Sequence, residues 1–303
     1  MAIPKSQLED WSHQGSVTQS TTTYATIRRA LEAPDTNYAD KRIEIFLQGS
    51  YGNNTNIYAE SDVDVVIRLN STFHYDLDAL TPQESGAFEN AYPGSASYGF
   101  GDFKTDVIAS LQKSFGVEAV KPGNKAIKIS ANGSRRSADV VVATQFRRYT
   151  RFYSSYLGIP SEQYVRGICF FTSSGERIVD YPKQHSENCT TKHQSTQEWF
   201  KPMVRILKNM RGRLVENRLL QQGIAPSYFI EGLLYNVPDA MFGQSYGDTF
   251  VAAINWIRNA DRSKFVCANK LHSLSGDSTT TSWPSANCDL FLNALVKLWK
   301  NWA

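Results

Sequence analysis

Apolar positions along this chain change their period several times, and each change marks an element. From Ser16 to Leu31, Val17, Tyr24, Ile27 and Leu31 fall near one helical face before Ala33-Pro34 ends the run, which predicts one N-terminal helix. IEIFLQ (43–48) and DVDVVIRL (62–69) are short and rich in β-branched residues. Punctuated by Gly49, Gly52 and Asn53-Asn54, they read as two strands flanking a turn with a short helix. Residues 69–101 mix Ser, Thr, Gly, Pro and aromatics without a period and are expected to form a long mobile connection. Phe103, Val107, Leu111 and Phe115, spaced by four, predict a helix over 102–115. KAIKIS (125–130) alternates, and ADVVVATQF (138–146) is nearly continuous apolar chain, as a strand covered on both faces should be. GICFF and ERIVDY, joined by Thr172-Ser173-Ser174-Gly175, predict a hairpin.

At residue 195 the period becomes helical. Ser195-Thr196-Gln197-Glu198 reads as a capping box opening a helix that carries Val204, Leu207, Arg211 and Leu214. Further helices are predicted over 226–237, 248–260 and 287–302, with a loop over 273–285 and no internal repeat. The fold class is therefore α/β of the α+β kind. A strand-rich lobe with the N-terminal helix is expected over 1–193, and a helical lobe, with a cleft between the two, over 194–303.

Composition narrows the classes. With 303 residues, 41% hydrophobic and 20% charged, the chain can bury a large core. A net charge of +3 excludes an argument for nucleic-acid coating from the total alone. Four cysteines without a CxxC pair point to reduced thiols in a cytoplasmic protein. Glu9 and Asp10 interrupt the apolar core a secretory signal needs, and no segment is apolar for long enough to span a bilayer.

The chemistry gathers in Gly49-Ser50-Tyr51-Gly52-Asn53-Asn54-Thr55 and in Ser61-Asp62-Val63-Asp64 at the head of a strand. Residues two apart in a strand share a face, so Asp62 and Asp64 present paired carboxylates while Val63 packs inward. Such a pair suits Mg²⁺ beside phosphates. Asp139, opening a buried strand, is the candidate third ligand. Together the three would clamp an in-line displacement at an α-phosphorus between two metals. Gly49 lets backbone approach phosphates, and Ser50 offers hydroxyl and amide donors. The bland alternative makes Asp62 and Asp64 exposed edge charges and Asp139 the cap of a turn.

GSYGNNT (49–55), SDVDVVI (61–67) and ADVVVA (138–143), in that order, resemble the DNA polymerase β-like nucleotidyltransferases, whose hallmark is GS, then DxD, then a third Asp on a later strand. YPKQHSEN (181–188), FKPMVRILKNMR (200–211) and APSYFIEGLLYNVP (225–238) narrow the likeness to the bacterial cGAS/DncV-like nucleotidyltransferases, which make cyclic oligonucleotides. That resemblance spans residues 43–238. It implies Asp62, Asp64 and Asp139 as catalytic metal ligands for Mg²⁺ or Mn²⁺, Gly49 and Ser50 on the triphosphate, and Lys208 and Ser227 on further phosphate oxygens, with Tyr228 stacked on a base. It also implies substrates among ATP, GTP, UTP and CTP, a cyclic di- or trinucleotide product in bacterial anti-phage signalling, and effector or regulatory proteins from neighbouring genes.

Three other features carry weaker readings. His185, Cys189 and His193 share a four-residue spacing, but a tetrahedral zinc lacks its fourth ligand nearby. Arg147, Arg148 and Arg151, with Arg205, Lys208, Arg211 and Arg213, read as a solvated face plus triphosphate binding rather than a nucleic-acid activator site. Leu292, Leu295, Val296, Trp299 and Trp302 form a helix face expected to pack on the helical lobe rather than on a partner. Two alternatives to cyclisation stand: transfer to another acceptor such as an RNA end, a protein or an antibiotic hydroxyl, and a non-catalytic nucleotide-binding module.

Overall fold

A computed structural model describes residues 2–15, 17–58, 62–154, 160–276 and 281–302. Ser16 at the expected helix start, Ser61 of the acidic motif and 277–280 of the expected loop lie outside the described residues. In chain order the elements are α1 (Lys5–Ser12), α2 (Thr18–Leu31), β1 (Ile43–Leu47), α3 (Gly49–Gly52), β2 (Val63–Asp76), α4 (Pro82–Ala91), α5 (Phe100–Phe115), β3 (Val120–Pro122) and β4 (Ile127–Ile129). There follow β5 (Ala138–Ser154), β6 (Pro160–Phe171), β7 (Arg177–Asp180), α6 (Pro182–Ser195), α7 (Phe200–Glu216), α8 (Ser227–Tyr235), α9 (Tyr246–Asn259) and α10 (Ser285–Lys300).

These elements form two compact units, each discontinuous in sequence. A sheet unit comprises Gln19–Leu47 and Asp62–Tyr181; a helical unit comprises Met1–Thr18, Gln48–Ser61 and Pro182–Ala303. The sheet runs β1-β2-β5-β4-β3, with β6 on β5 and β7 on β6. Among the described strands, only the β2–β5 pair is parallel. Both strands carry runs of apolar residues, Val65 to Ile67 and Val140 to Ala143, because both of their faces are covered.

The stretch 69–101, expected as a mobile connection, is structured. β2 continues through a register shift between Leu69 and Phe73 and pairs again with β5 as far as Asp76. α4 follows, started by a capping box in which Thr81 and Glu84 exchange side-chain and backbone bonds and by Pro82 at its first position. Its Phe88 is buried among Tyr149, Phe152 and Tyr92. The helix was hidden because one buried aromatic anchors it, too few apolar residues to set a period.

The helical unit also starts earlier than expected. α6 occupies Pro182–Ser195 with only His185 and Cys189 buried, a face too sparse to stand out in so polar a segment. Ser195–Glu198 is not a capping box. It is the break between α6 and α7, with Gln197 and Glu198 at left-handed φ of 51° and 68°. Thr196 Oγ1 instead accepts the Phe200 amide at 3.1 Å. α10 packs as expected: Leu292 and Leu295 enter the helical core, Trp299 stacks on Phe250 at 4.5 Å, and Trp302 meets Trp11 edge-on at 5.4 Å.

Phe88→Ala should cost about 3–5 kcal/mol, as large-to-small changes in aromatic cores do. Urea unfolding at equilibrium reads it, and a loss below about 1 kcal/mol would mean that α4 is not anchored on β5.

Candidate active site

The parallel register of β2 and β5 makes Asp64 and Asp139 direct neighbours, one strand apart and on one face of the sheet. Asp62 lies one residue before β2 and two before Asp64, and its carboxylate accepts a hydrogen bond from the Ser137 hydroxyl. Ser137 also accepts the Val63 amide at 3.0 Å through its carbonyl, which ties the two strand starts together. On the other side of Asp139 its register partner is Lys128 of β4. Burial raises the Asp139 pKa above the ordinary carboxylate range and Asp62 adds to the rise, while Lys128 opposes both. Of the sequence candidates, Asp64 and Asp139 are register partners, and Asp62 lies just before β2. Ser137 and Lys128 had no signal of their own, since only the strand register puts them beside these carboxylates.

In the helical unit the Gly49–Thr55 segment wraps around a buried carboxylate. Gly49 sits at φ +62°, a conformation that favours glycine, and opens the single turn α3. The Asn53 amide bonds the Gly49 carbonyl at 3.0 Å, and the Thr55 amide bonds the Ser50 carbonyl at 2.9 Å. Glu231 of α8, 2% exposed, accepts from Asn53 Nδ2 at 2.9 Å, from Thr55 Oγ1, and from His185 Nε2 at 2.6 Å. Burying a charge so fully is costly unless it is paired and hydrogen-bonded, and each of these donors meets that condition. Glu231 escaped the sequence reading although a signal existed: it is the one charged residue in the apolar stretch 226–237.

Lys208 is wholly buried on α7, where its Nζ donates to the Thr55 carbonyl at 2.8 Å. Ser227 Oγ accepts from Arg211 Nη1 at 3.1 Å at the start of α8. The Tyr228 ring stacks on His185, with centroids 4.7 Å apart and planes 23° from parallel, and its hydroxyl accepts from Asn269 Nδ2 at 3.0 Å. Gly49, Ser50, Lys208, Ser227 and Tyr228 therefore belong to one unit, and the Glu231 network links Ser50, Lys208 and Tyr228 through shared partners.

Burial opposes a charged His185, but the facing Cys189 and Glu231 prevail and hold its pKa well above the ordinary value. Burial likewise works against an ionised Glu231, and His185, Lys208 and the Thr55 hydroxyl keep its pKa below the usual range. Among the described residues, His185, Cys189 and Glu231 form a group of metal-capable donors within 4.8 Å of one another, and His193 is not part of it. Two ligands on one tetrahedral zinc keep about 3.3 Å apart. At 2.6 Å, His185 and Glu231 are a hydrogen-bonded pair.

Several arginines of the expected basic face are engaged within their own units. Arg147 lies over the Phe73 ring at 3.9 Å and donates to the Tyr149 hydroxyl at 3.1 Å. Arg205 holds the carbonyls of Ser12 at 2.5 Å and Asn54 at 2.7 Å, and Arg211 that of Ala225 at 2.9 Å. No described helix is long and apolar enough to cross a membrane.

The family described as cGAS/DncV-like nucleotidyltransferase C-terminal helical domain matches residues 187–300. A cyclic UMP-AMP synthase of Rhodothermus marinus is 40% identical over 303 residues, covering 100% of this chain and 99% of that one. This chain belongs to the cGAS/DncV-like nucleotidyltransferases. The cyclic nucleotide synthase CdnE01 of Staphylococcus haemolyticus is 36% identical over 307 residues, with 100% of both chains covered. The solved Rhodothermus marinus CdnE c-UMP-AMP synthase with Apcpp and Upnpp superposes at a TM-score of 0.87, with 39% identity over 99% of this chain and 98% of that one. The chain is accordingly a nucleotidyltransferase with the α+β architecture and helical C-terminal domain of that family.

Because Asp139 is held in a crowded, partly buried place, Asp139→Asn should leave the urea midpoint at neutral pH unchanged or higher. A lower midpoint would show that the charge stabilises the sheet. The His185–Glu231 pair has its own pH signature. The histidine's contribution is complete below its ordinary pKa and is lost as pH rises through the raised folded value. The glutamate's is present above its ordinary pKa and is lost as pH falls through the depressed folded value. The pair should stabilise most between about pH 4.3 and 6.5. The difference in urea midpoint between the native chain and Glu231→Gln, followed from pH 4 to 9, should peak in that window. A pH-independent difference would remove ionisation from the account.

Proposed function

We propose that this nucleotidyltransferase joins nucleoside triphosphates, drawn from ATP, GTP, UTP and CTP, into a cyclic di- or trinucleotide. The observation that carries the reading is the juxtaposition of Asp64 and Asp139 across a parallel strand pair, with Asp62 two residues before Asp64, in a chain alike over its whole length to a cyclic UMP-AMP synthase. Three carboxylates with one lysine beside them are a donor set that suits hard divalent cations. Asp62, Asp64 and Asp139 would hold Mg²⁺, or Mn²⁺ in its place. Such ions supply charge neutralisation on the phosphates and a lowered pKa for the attacking hydroxyl.

Gly49 and Ser50 receive the triphosphate in this reading. Ser227 takes a phosphate oxygen, Lys208 offsets phosphate charge from behind the turn through Thr55, and Tyr228 offers a ring face to a base. An acceptor hydroxyl attacks the α-phosphorus, its oxygen forms the new phosphodiester, and pyrophosphate leaves. For a dinucleotide, a hydroxyl of the linear product then attacks the α-phosphorus of the remaining triphosphate, closing the ring and releasing a second pyrophosphate; a trinucleotide takes one more such condensation, and a third pyrophosphate, before closure. Messenger synthesis in the bacterial cytoplasm for anti-phage defence, read by an effector encoded nearby, completes the proposal. Base choice varies among relatives: one is a cyclic dipurine synthase of Elizabethkingia meningoseptica, at 34% identity over 80% of this chain.

Incubating the chain with Mg²⁺ and all four nucleoside triphosphates should yield a phosphatase-resistant product by mass spectrometry, and Asp139→Asn should lower the yield by at least about 10³-fold. Pyrophosphate release that occurs only when an RNA end, protein or aminoglycoside hydroxyl is supplied would replace cyclisation by transfer to that acceptor. Unchanged activity in Asp139→Asn would remove that residue from the metal site.

A further inference from the structure

We infer that Glu231 and His185 are positioning residues that set the phosphate-binding turn and the base-stacking ring by one buried hydrogen-bond network. The inference rests on the roles proposed above for Ser50 and Tyr228. Glu231 reaches the turn through two side chains of the segment 48–61, Asn53 Nδ2 at 2.9 Å and the Thr55 hydroxyl, and through His185 Nε2 at 2.6 Å it fixes an imidazole. That imidazole lies under Tyr228 at 4.7 Å, so rotation of His185 would take away the surface on which the tyrosine rests. Thr55 is also bonded by its amide to the Ser50 carbonyl at 2.9 Å and by its carbonyl to Lys208 Nζ at 2.8 Å. One carboxylate is therefore two bonds from Ser50 and one residue from Tyr228.

The chain 48–61 is inserted between two strands of the sheet unit in sequence but folds with the helical unit. Its described part, 48–58, has few helical or sheet bonds of its own, α3 being a single turn. Something must hold it, and a buried side chain with several lone pairs can satisfy donors from more than one segment at once. Asn53, Thr55, Lys208, Glu231 and His185 are all at most 5% exposed, so water cannot substitute for a lost partner. Removing the carboxylate's second acceptor should leave Asn53 or Thr55 unsatisfied and loosen the turn. The carboxylates proposed to hold the metals, on β2, on β5 and just before β2, keep their own supports.

The test compares the native chain with Glu231→Gln and with the milder Thr55→Val, each first checked for a cooperative urea transition. At matched folded fraction, both variants should raise KM for triphosphate about 10-fold or more while kcat changes by less than about 3-fold, because binding groups and not the reacting centre are displaced. Glu231→Asp, too short to serve both segments, should not restore KM. Native KM in folded Glu231→Gln and Thr55→Val would overturn the inference and leave the proposed function standing. If Glu231→Gln does not fold, Thr55→Val decides alone. If the native chain makes no product, equilibrium binding of a non-hydrolysable ATP analogue to the same variants is the readout. Equal affinity in all of them overturns the inference, and weakened affinity in the variants supports it while the cyclisation reading fails.

Discussion

Like charges placed directly across a strand pair repel, and a sheet normally avoids them. In-register parallel pairing of β2 with β5 nevertheless sets Asp64 against Asp139 and brings Asp62 to the same edge. Burial raises the Asp139 pKa and Asp62 adds to the rise, while Lys128 on β4 opposes both, and the Ser137 hydroxyl bonds the Asp62 carboxylate. Such an arrangement persists where the rest of the fold over-determines it, and here the apolar residues Val65 to Ile67 and Val140 to Ala143 are buried on both faces of the sheet and hold the two strands side by side. The core of the sheet thus holds together charges that would otherwise separate. In the proposed function, this is where divalent cations would be held.

The helical unit is organised around the opposite problem, a single carboxylate buried among donors. Glu231 satisfies groups from the segment 48–61 and from α6, and the segment's own backbone bonds close around Gly49 and Ser50. Buried ionic networks contribute little net stability when traded against apolar packing, but they define one geometry because every partner must be in place. For a turn read as a phosphate cradle, definition matters more than stability.

Much of this could be read in the chain before any coordinates. The GS turn, the DxD strand and the later Asp stand in a fixed order, and alternation in the flanking strands gave the carboxylates a common face. The helices 200–216, 227–235, 246–259 and 285–300 followed from their period. α4 and α6 did not, because each buries one or two side chains, and a period needs more points than that. The Thr81 box was nonetheless visible as Thr-Pro-Gln-Glu, a local signal overridden by the irregular composition around it.

Local pattern by itself determined the types of most elements, the acidic motif and the family likeness, since these depend on neighbours within a few residues. Tertiary structure alone decided that β2 runs parallel to β5 in the register that pairs Asp64 with Asp139, that the segment 48–61 folds with the helices and not with the strands around it, and that Glu231 is the point to which Asn53, Thr55 and His185 converge. The physical reason is common to all three. Each depends on contacts between residues dozens to nearly two hundred positions apart, whose pairing is chosen by the burial and hydrogen bonding of the whole fold and leaves no periodic trace in the chain.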